Sequence, residues 1–183
     1  MKLKSIITIS GRICSGKSYI AKLIQAEYGF PIASFGVYLK YYCVKNGLPT
    51  DRKALQDTGE AFVKESPKRF LSDVLSHFIG FSNIIVLEGV RHRSILEEVY
   101  QLTENHLTIF AEADFETRFK RYYSRNKDTD EVKTLEYFKE ADNHPVEHDI
   151  AFLKFLCNLS VDSTSDKDIS PELFTFLSHK LKR

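Results

Sequence analysis

Apolar positions fall in short runs separated by stretches with helical spacing. Ser5–Ser10 is a β-branched run (Ile6, Ile7, Thr8, Ile9) that stops at Gly11, the pattern of a buried strand. Ser18–Tyr28 carries Ile20, Leu23 and Ile24 at helical spacing and stops at Gly29. Pro31–Phe35 predicts a second strand. Val37–Lys45 and Arg52–Lys64 predict two helices, parted by the turn signal Asn46-Gly47-Leu48-Pro49. Another helix is expected from Pro67, a first-turn proline behind Ser66, to Phe78. Next come a strand at Asn83–Leu87, a helix at Ser94–Leu102 and a strand at Leu107–Ala111. Helices are then expected over Phe115–Arg125 and near Val132–Glu140, with a last strand at Leu159–Val161. A C-terminal helix opens at Ser170-Pro171-Glu172. The order β-α-β-α-α-α-β-α-β-α-α-β-α predicts an α/β fold, a parallel sheet of about five strands with helices on both faces. The three consecutive helices, about 36–80, read as an insertion suited to a substrate-binding wall.

Charge narrows the partners. Lys plus Arg number 26 and Asp plus Glu 25 in 183 residues, a net charge of +1. That balance gives no bulk attraction to nucleic acid or to an anionic membrane, so an anion site has to be local. The N-terminal apolar run is too short for a membrane span and lacks a signal-peptide cleavage pattern. Cys14, Cys43 and Cys157 are odd in number and without CxxC spacing, which fits a reducing, cytoplasmic compartment. Composition is even from end to end, so one domain over 1–183 is expected.

The first strand runs directly into Gly11-Arg12-Ile13-Cys14-Ser15-Gly16-Lys17-Ser18, a match to G-x-x-x-x-G-K-[ST] at every fixed position. The glycines let the backbone curl so that its N–H groups point at phosphate oxygens. Within this phosphate loop Gly11, Cys14, Ser15 and Gly16 form the cradle, Lys17 reaches the β/γ-phosphates and Ser18 ligates Mg²⁺. The helix that starts there adds the positive end of its dipole. ATP and Mg²⁺ are the expected cofactors.

A strand, a G-x-x-x-S-G-K-S loop within the first twenty residues and a short α/β chain resemble the P-loop nucleotide kinases. That group includes nucleoside monophosphate, deoxynucleotide and dephospho-coenzyme A kinases. The resemblance implies a P-loop NTPase fold with a helical acceptor-binding insertion and a short lid at about 115–140. Glu88, at the end of the third strand, would then support Mg²⁺. Glu88-Gly89-Val90-Arg91 is similar to the acidic-Gly-x-Arg turns in which the arginine meets an acceptor phosphate, the role implied for Arg91. Arg118, Arg121 and Arg125 share one helical face ahead of a loop at Asn126–Asp130. The resemblance implies that Arg121, with Arg118, closes on the transferring phosphoryl group. Arg52-Lys53-Ala54-Leu55-Gln56-Asp57-Thr58-Gly59 is similar to an R-x-x-L-Q-x-x-G stretch of phage-type deoxynucleotide kinases. This makes Arg52 a candidate acceptor-phosphate ligand, with Phe35 and Tyr38 as candidates for stacking on a base.

Two other patterns carry less. His144-Pro145-Val146-Glu147-His148 is not H-E-x-x-H and reads as a polar turn feeding a helix over Asp149–Leu156. Asn126-Lys127-Asp128 approaches the guanine-reading N-K-x-D pattern, but the fourth position is Thr129, which excludes a GTPase. The expected activity is transfer of the ATP γ-phosphoryl to a small nucleotide or phosphorylated metabolite, with no nucleic-acid or membrane partner. Where dephospho-coenzyme A kinases carry an Asp after strand two, this chain reads Ser34-Phe35-Gly36-Val37. A hydroxyl acceptor needs such a base and a phosphate acceptor does not, so a nucleoside or deoxynucleoside monophosphate is favoured over dephospho-coenzyme A. The alternative of another class is a regulatory nucleotide-binding ATPase module.

Overall fold

In the computed structural model, which describes residues 3–78, 82–125, 127, 129–130, 132–165 and 167–181, five strands form one parallel sheet ordered β2-β3-β1-β4-β5. These are β1 (Ser5–Ser10), β2 (Ile32–Ser34), β3 (Ile84–Val90), β4 (His106–Glu112) and β5 (Leu159–Asp162). The helices are α1 (Lys17–Tyr28), α2 (Phe35–Lys45), α3 (Arg52–Glu65), α4 (Pro67–Phe78), α5 (Arg93–Leu102), α6 (Phe115–Ser124), α7 (Leu135–Asp142), α8 (Ile150–Phe155) and α9 (Ser170–Leu181). Asn126 and Asp128, in the loop expected at 126–130, lie outside the described residues. No helix among the described residues is long and apolar enough to cross a membrane.

The period-two alternation of the strands divides the core between the two sheet faces. Ile6, Ile85, Leu87 and Phe110 pack with α2, α4, α5 and α8 on one face. Ile7, Ile9, Val86, Ile109, Ala111 and Val161 pack with Ile20, Ile24, Leu173 and Leu177 of α1 and α9 on the other. Central β1 is buried at all six positions, as its unbroken apolar run requires.

Side-chain caps adjust the expected boundaries. The Ser34 hydroxyl accepts from Val37 N at 3.4 Å, so α2 starts at Phe35 rather than Val37. Thr134 accepts from Tyr137 N at 3.2 Å, which moves the helix expected near Val132–Glu140 to Leu135–Asp142. Between α7 and β5 lie a 3-10 turn, Pro145–Glu147, and the short helix α8, within the helix expected over Asp149–Leu156.

The register sets the carboxyl ends of the strands side by side. Ile9 of β1 is level with Glu88 of β3, and Glu88 is level with Ser34 of β2. Adjacent β1 and β3 send their connections to opposite faces, which opens a crevice at their carboxyl ends, the usual ligand position in open α/β sheets. The loop after β1 fills this crevice. Gly11 has φ 140°, and a Cβ there would lie 2.3 Å from the Ala111 carbonyl oxygen and 2.6 Å from Ser15 Oγ. Gly11→Ala should therefore cost more than about 1 kcal/mol of stability, because the backbone conformation and the available space both exclude a side chain. Thermal unfolding of the variant against wild type checks this, and an unchanged midpoint would contradict it.

Candidate active site

The loop from Gly11 to Ser18 is closed by its own lysine. Lys17 Nζ donates to the carbonyls of Gly11 at 2.7 Å and Arg12 at 2.5 Å, and the side chain is buried. Burial pushes the Lys17 pKa well below its ordinary value, and the nearby Arg91 adds to this while Glu88 opposes it. Gly16, at φ 92°, ends the loop as the N-cap of α1. Cys14 also adopts a positive φ, 62°, and burial pushes its thiol pKa up despite Arg125, Arg52 and Lys17 nearby. Ser15 Oγ is buried and has no hydrogen-bond partner.

Ser18 and Glu88 meet at the start of α1. Ser18 Oγ donates to Glu88 Oε1 at 3.1 Å, and Ser34 Oγ donates to Glu88 Oε2 at 2.5 Å. Two cavities join here. One, of about 570 Å³, is lined by the loop from Ile13 to Tyr19, by Arg121, Ser124 and Arg125, and by Ser163, Ser165, Lys167 and Ile169. The other, of about 390 Å³, is lined by Phe35, Leu39, Leu55, Phe70, Val90 and Ile95 among others. Lys17, Ser18, Arg52, Glu88, Arg91 and Lys127 line both. Glu88 is the only carboxylate residue among the described residues lining either cavity.

The junction is therefore crowded with cations. Burial, together with the nearby Arg52, brings the Arg91 pKa down to about 10. Desolvation in the cleft, helped by Arg52 and Arg125, also lowers the Lys127 pKa. Cations that destabilise one another in a partly desolvated cleft leave a local excess of positive charge there. Asp130 offsets part of the excess. It accepts from Arg52 Nε at 2.7 Å and from Arg125 Nε at 2.6 Å. Burial works against its charge, but the two arginines hold its carboxyl below the usual range.

Several expected site residues are brought together and others are not. Lys17, Ser18, Glu88, Arg52 and Arg91 converge on the junction, Arg121 lies on the wall of the larger cavity, and Phe35 lies on the wall of the smaller. Arg121 reaches the carbonyl of Cys14 at 3.4 Å, the Ser163 hydroxyl at 2.9 Å and the Ser163 carbonyl. Tyr38 lines neither cavity. It is buried against Phe70, Tyr41 and His77, so base stacking gives way to core packing. Arg118 is also corrected. It is buried in a two-pronged ion pair with Asp142 (2.5 and 2.9 Å) and donates to the Ile13 carbonyl at 3.3 Å. It props the phosphate loop from behind rather than facing the cavity.

Sequence reasoning passed over Lys127, Asp130, Glu147 and Ser163. Ser163 Oγ donates to the carbonyls of Ser15 and Glu112, tying the end of β5 to the loop. No local spacing marks Asp130, Glu147 or Ser163, because Arg52, Arg91 and the Ser15 carbonyl that they meet lie far away along the chain.

The family model for an AAA domain, AAA_18, matches residues 7–144. The chain belongs to the AAA_18 family. No curated protein matches it. Among solved structures, shikimate kinase from Acinetobacter baumannii in complex with shikimate is similar at 12% identity, covering 98% of this chain and 94% of that one, TM-score 0.64. A putative kinase from Chloroflexus aurantiacus matches at 12% identity, 98% and 99% coverage and TM-score 0.62. A gluconokinase from Sinorhizobium meliloti matches at 15% identity, 98% and 94% coverage and TM-score 0.53. This AAA_18 member shares the fold of these kinases.

The Arg118 geometry predicts a stability phenotype. Arg118→Ala leaves Asp142 with only the half-exposed Arg12 at 3.3 Å and should lower unfolding stability by about 3 kcal/mol. Chemical denaturation measures it, and full stability with lost turnover would return Arg118 to the catalytic set.

Proposed function

We propose that this protein transfers the γ-phosphoryl group of ATP to a nucleoside or deoxynucleoside monophosphate. The observation that carries the reading is the pair of joined cavities, whose common wall holds Lys17, Ser18, Arg52, Glu88, Arg91 and Lys127. The larger cavity holds the triphosphate on the Gly11–Ser18 loop, whose unsatisfied Ser15 hydroxyl and α1 N-terminus suit phosphate oxygens. The smaller has aromatic and aliphatic walls for a flat base, Phe35 and Phe70 among them, and cations at the end facing the ATP phosphates.

The residues present fit Mg²⁺. Ser18 and Glu88 are hydrogen-bonded to each other at the mouth of the loop, and Mg²⁺ commonly takes one or two protein ligands together with phosphate oxygens. When bound, the ion would neutralise charge on the phosphates. Ser34 holds Glu88 from the far side. Lys17 and Arg121 supply positive charge along the phosphates, and Arg52 and Arg91 supply it on the acceptor side. Catalysis then rests on positioning and charge matching, without a covalent intermediate. In this reading α2–α4, within about 36–80, form the acceptor wall, and the stretch from about 115 to 140 covers the ATP side.

A second reading is hydroxyl phosphorylation of the dephospho-coenzyme A type. It is favoured by Glu88 being the only lining carboxylate residue described, and so the available base. The shikimate-bound neighbour has the same fold. The two readings separate in a transfer assay with labelled ATP and Mg²⁺ over ribo- and deoxyribonucleoside monophosphates, dephospho-coenzyme A and small hydroxylated metabolites. Label in nucleoside diphosphates is expected. Label only in coenzyme A makes Glu88 the base, and ATP hydrolysis without transfer makes the protein a regulatory ATPase.

Two variants probe the ATP side. Lys17→Ala should keep the fold and lose most turnover, as checked by circular dichroism and steady-state kinetics. Arg121→Ala should lower kcat by roughly 10²-fold or more with a much smaller change in ATP affinity, the signature of a contact strengthened in the transition state. Loss of ATP binding at unchanged kcat would reduce Arg121 to a ground-state clamp.

A further inference from the structure

Glu147 lies outside both cavities, yet its carboxylate is tied to the acceptor side. It closes the 3-10 turn Pro145–Glu147, and its side chain is only 1% exposed. Its Oε1 makes a close ion pair with Nη1 of Arg91, which lines both cavities. Gln56, from α3, stands behind the pair. Its Nε2 donates to the Ala141 carbonyl at 2.9 Å and reaches Glu147 Oε1 at 3.5 Å. Glu147 Oε2 is buried with no hydrogen-bond partner among the described residues.

That last feature argues against a purely structural role. Burying a carboxylate is costly, and a structural one is normally bonded on both oxygens. An apolar side chain there would leave the Arg91 guanidinium without its buried counter-charge. What a carboxylate adds is a fixed direction for the guanidinium. Arginine's guanidinium is planar, so an ion pair with Glu147 limits the directions in which its other edge can point. Arg52, the other acceptor-side arginine, is held in a similar way by buried Asp130, at 2.7 Å. Each arginine at the junction thus has a carboxylate delivered from the chain beyond α6.

We propose that Glu147 is a positioning residue for the acceptor site, holding Arg91 in the orientation that receives the acceptor's phosphate without itself touching the acceptor. The inference rests on the phosphate-acceptor reading above. It predicts an effect confined to acceptor affinity and absent once Arg91 is gone.

The test is steady-state kinetics on the full chain, using whichever acceptor the transfer assay turns over best. Glu147→Gln should raise acceptor KM about tenfold or more, leaving ATP KM within about twofold and kcat within about threefold. In an Arg91→Met background, Glu147→Gln should add less than about twofold, because its only route of action is missing. Glu147→Asp keeps the charge one carbon shorter, should fold, and should give an intermediate acceptor KM. If Glu147→Gln does not fold, Glu147→Asp decides the matter. Unchanged acceptor KM in the folded variants, or equal losses in both KM values and kcat, overturns the role of Glu147 while the acceptor reading stands. Turnover of neutral hydroxylated acceptors alone, or of none, overturns both together.

Discussion

The burial of Lys17 inside its own loop is the constraint on which the site depends. An ammonium group stripped of water needs oxygen around it, and the carbonyls of Gly11 and Arg12 supply it. This closes the loop into a ring and fixes the direction of its backbone. The ring is then braced from outside. Arg118 holds the Ile13 carbonyl, Arg121 the Cys14 carbonyl and Ser163 the Ser15 carbonyl. Consecutive peptide groups are thus held from α6 and from the end of β5, so the sheet and the helix after β4 together set the shape of a loop near the N-terminus.

The same helix explains why the stretch after β4 is more than a cover. Ile13 of the loop is buried against Tyr122, Phe138 and Ala141, a small core separate from the two main ones. Tyr122 donates to the Val132 carbonyl at 2.6 Å, and Lys133 donates to the carbonyls of Tyr122 and Arg125. A segment with its own apolar centre, wedged under the phosphate loop, moves only if that centre moves too. Arg121, on the same helix, and Arg125, just past its end, line the cavity. The helix thus supports the loop with Arg118 and Tyr122 and carries positive charge to the cavity wall with Arg121.

Charge at the junction is balanced to leave an excess. Among the described residues, Lys17, Arg52, Arg91 and Lys127 meet one lining carboxylate residue, Glu88, with Asp130 and Glu147 behind the arginines. The R-x-x-L-Q-x-x-G stretch shows how this is assembled. Arg52 goes to Asp130, Gln56 to Ala141 and Glu147, and Gly59 packs against Leu39. Along α3 these residues fall at intervals of four and three, so one helix face meets the chain beyond α6 through Arg52 and Gln56 and α2 through Gly59.

Much of this was legible along the chain. Strand and helix positions follow from local apolar periodicity, and α3 and α4 begin where the pattern starts because Asp51 caps the one and Ser66 with Pro67 opens the other. The phosphate loop is equally local, since its function resides in consecutive backbone N–H groups and two glycines. Glu88 beside Ser18 follows from β3 pairing with β1, as a parallel α/β order implies. The sequence could not distinguish Arg118 from Arg121. Both sit on the same helical stripe, and only the approach of Asp142 from α7 and of Ser163 from β5 separates a buried brace from a cavity wall. Tyr38 likewise offered the same ring to a base or to Phe70, and the packing of α4 decided it. The partners of Arg52 and Arg91 lie 78 and 56 residues further along the chain. Local spacing fixes what a residue can do. Which partner reaches it first is a property of the folded chain, because long-range ion pairs form only where packing brings their elements together.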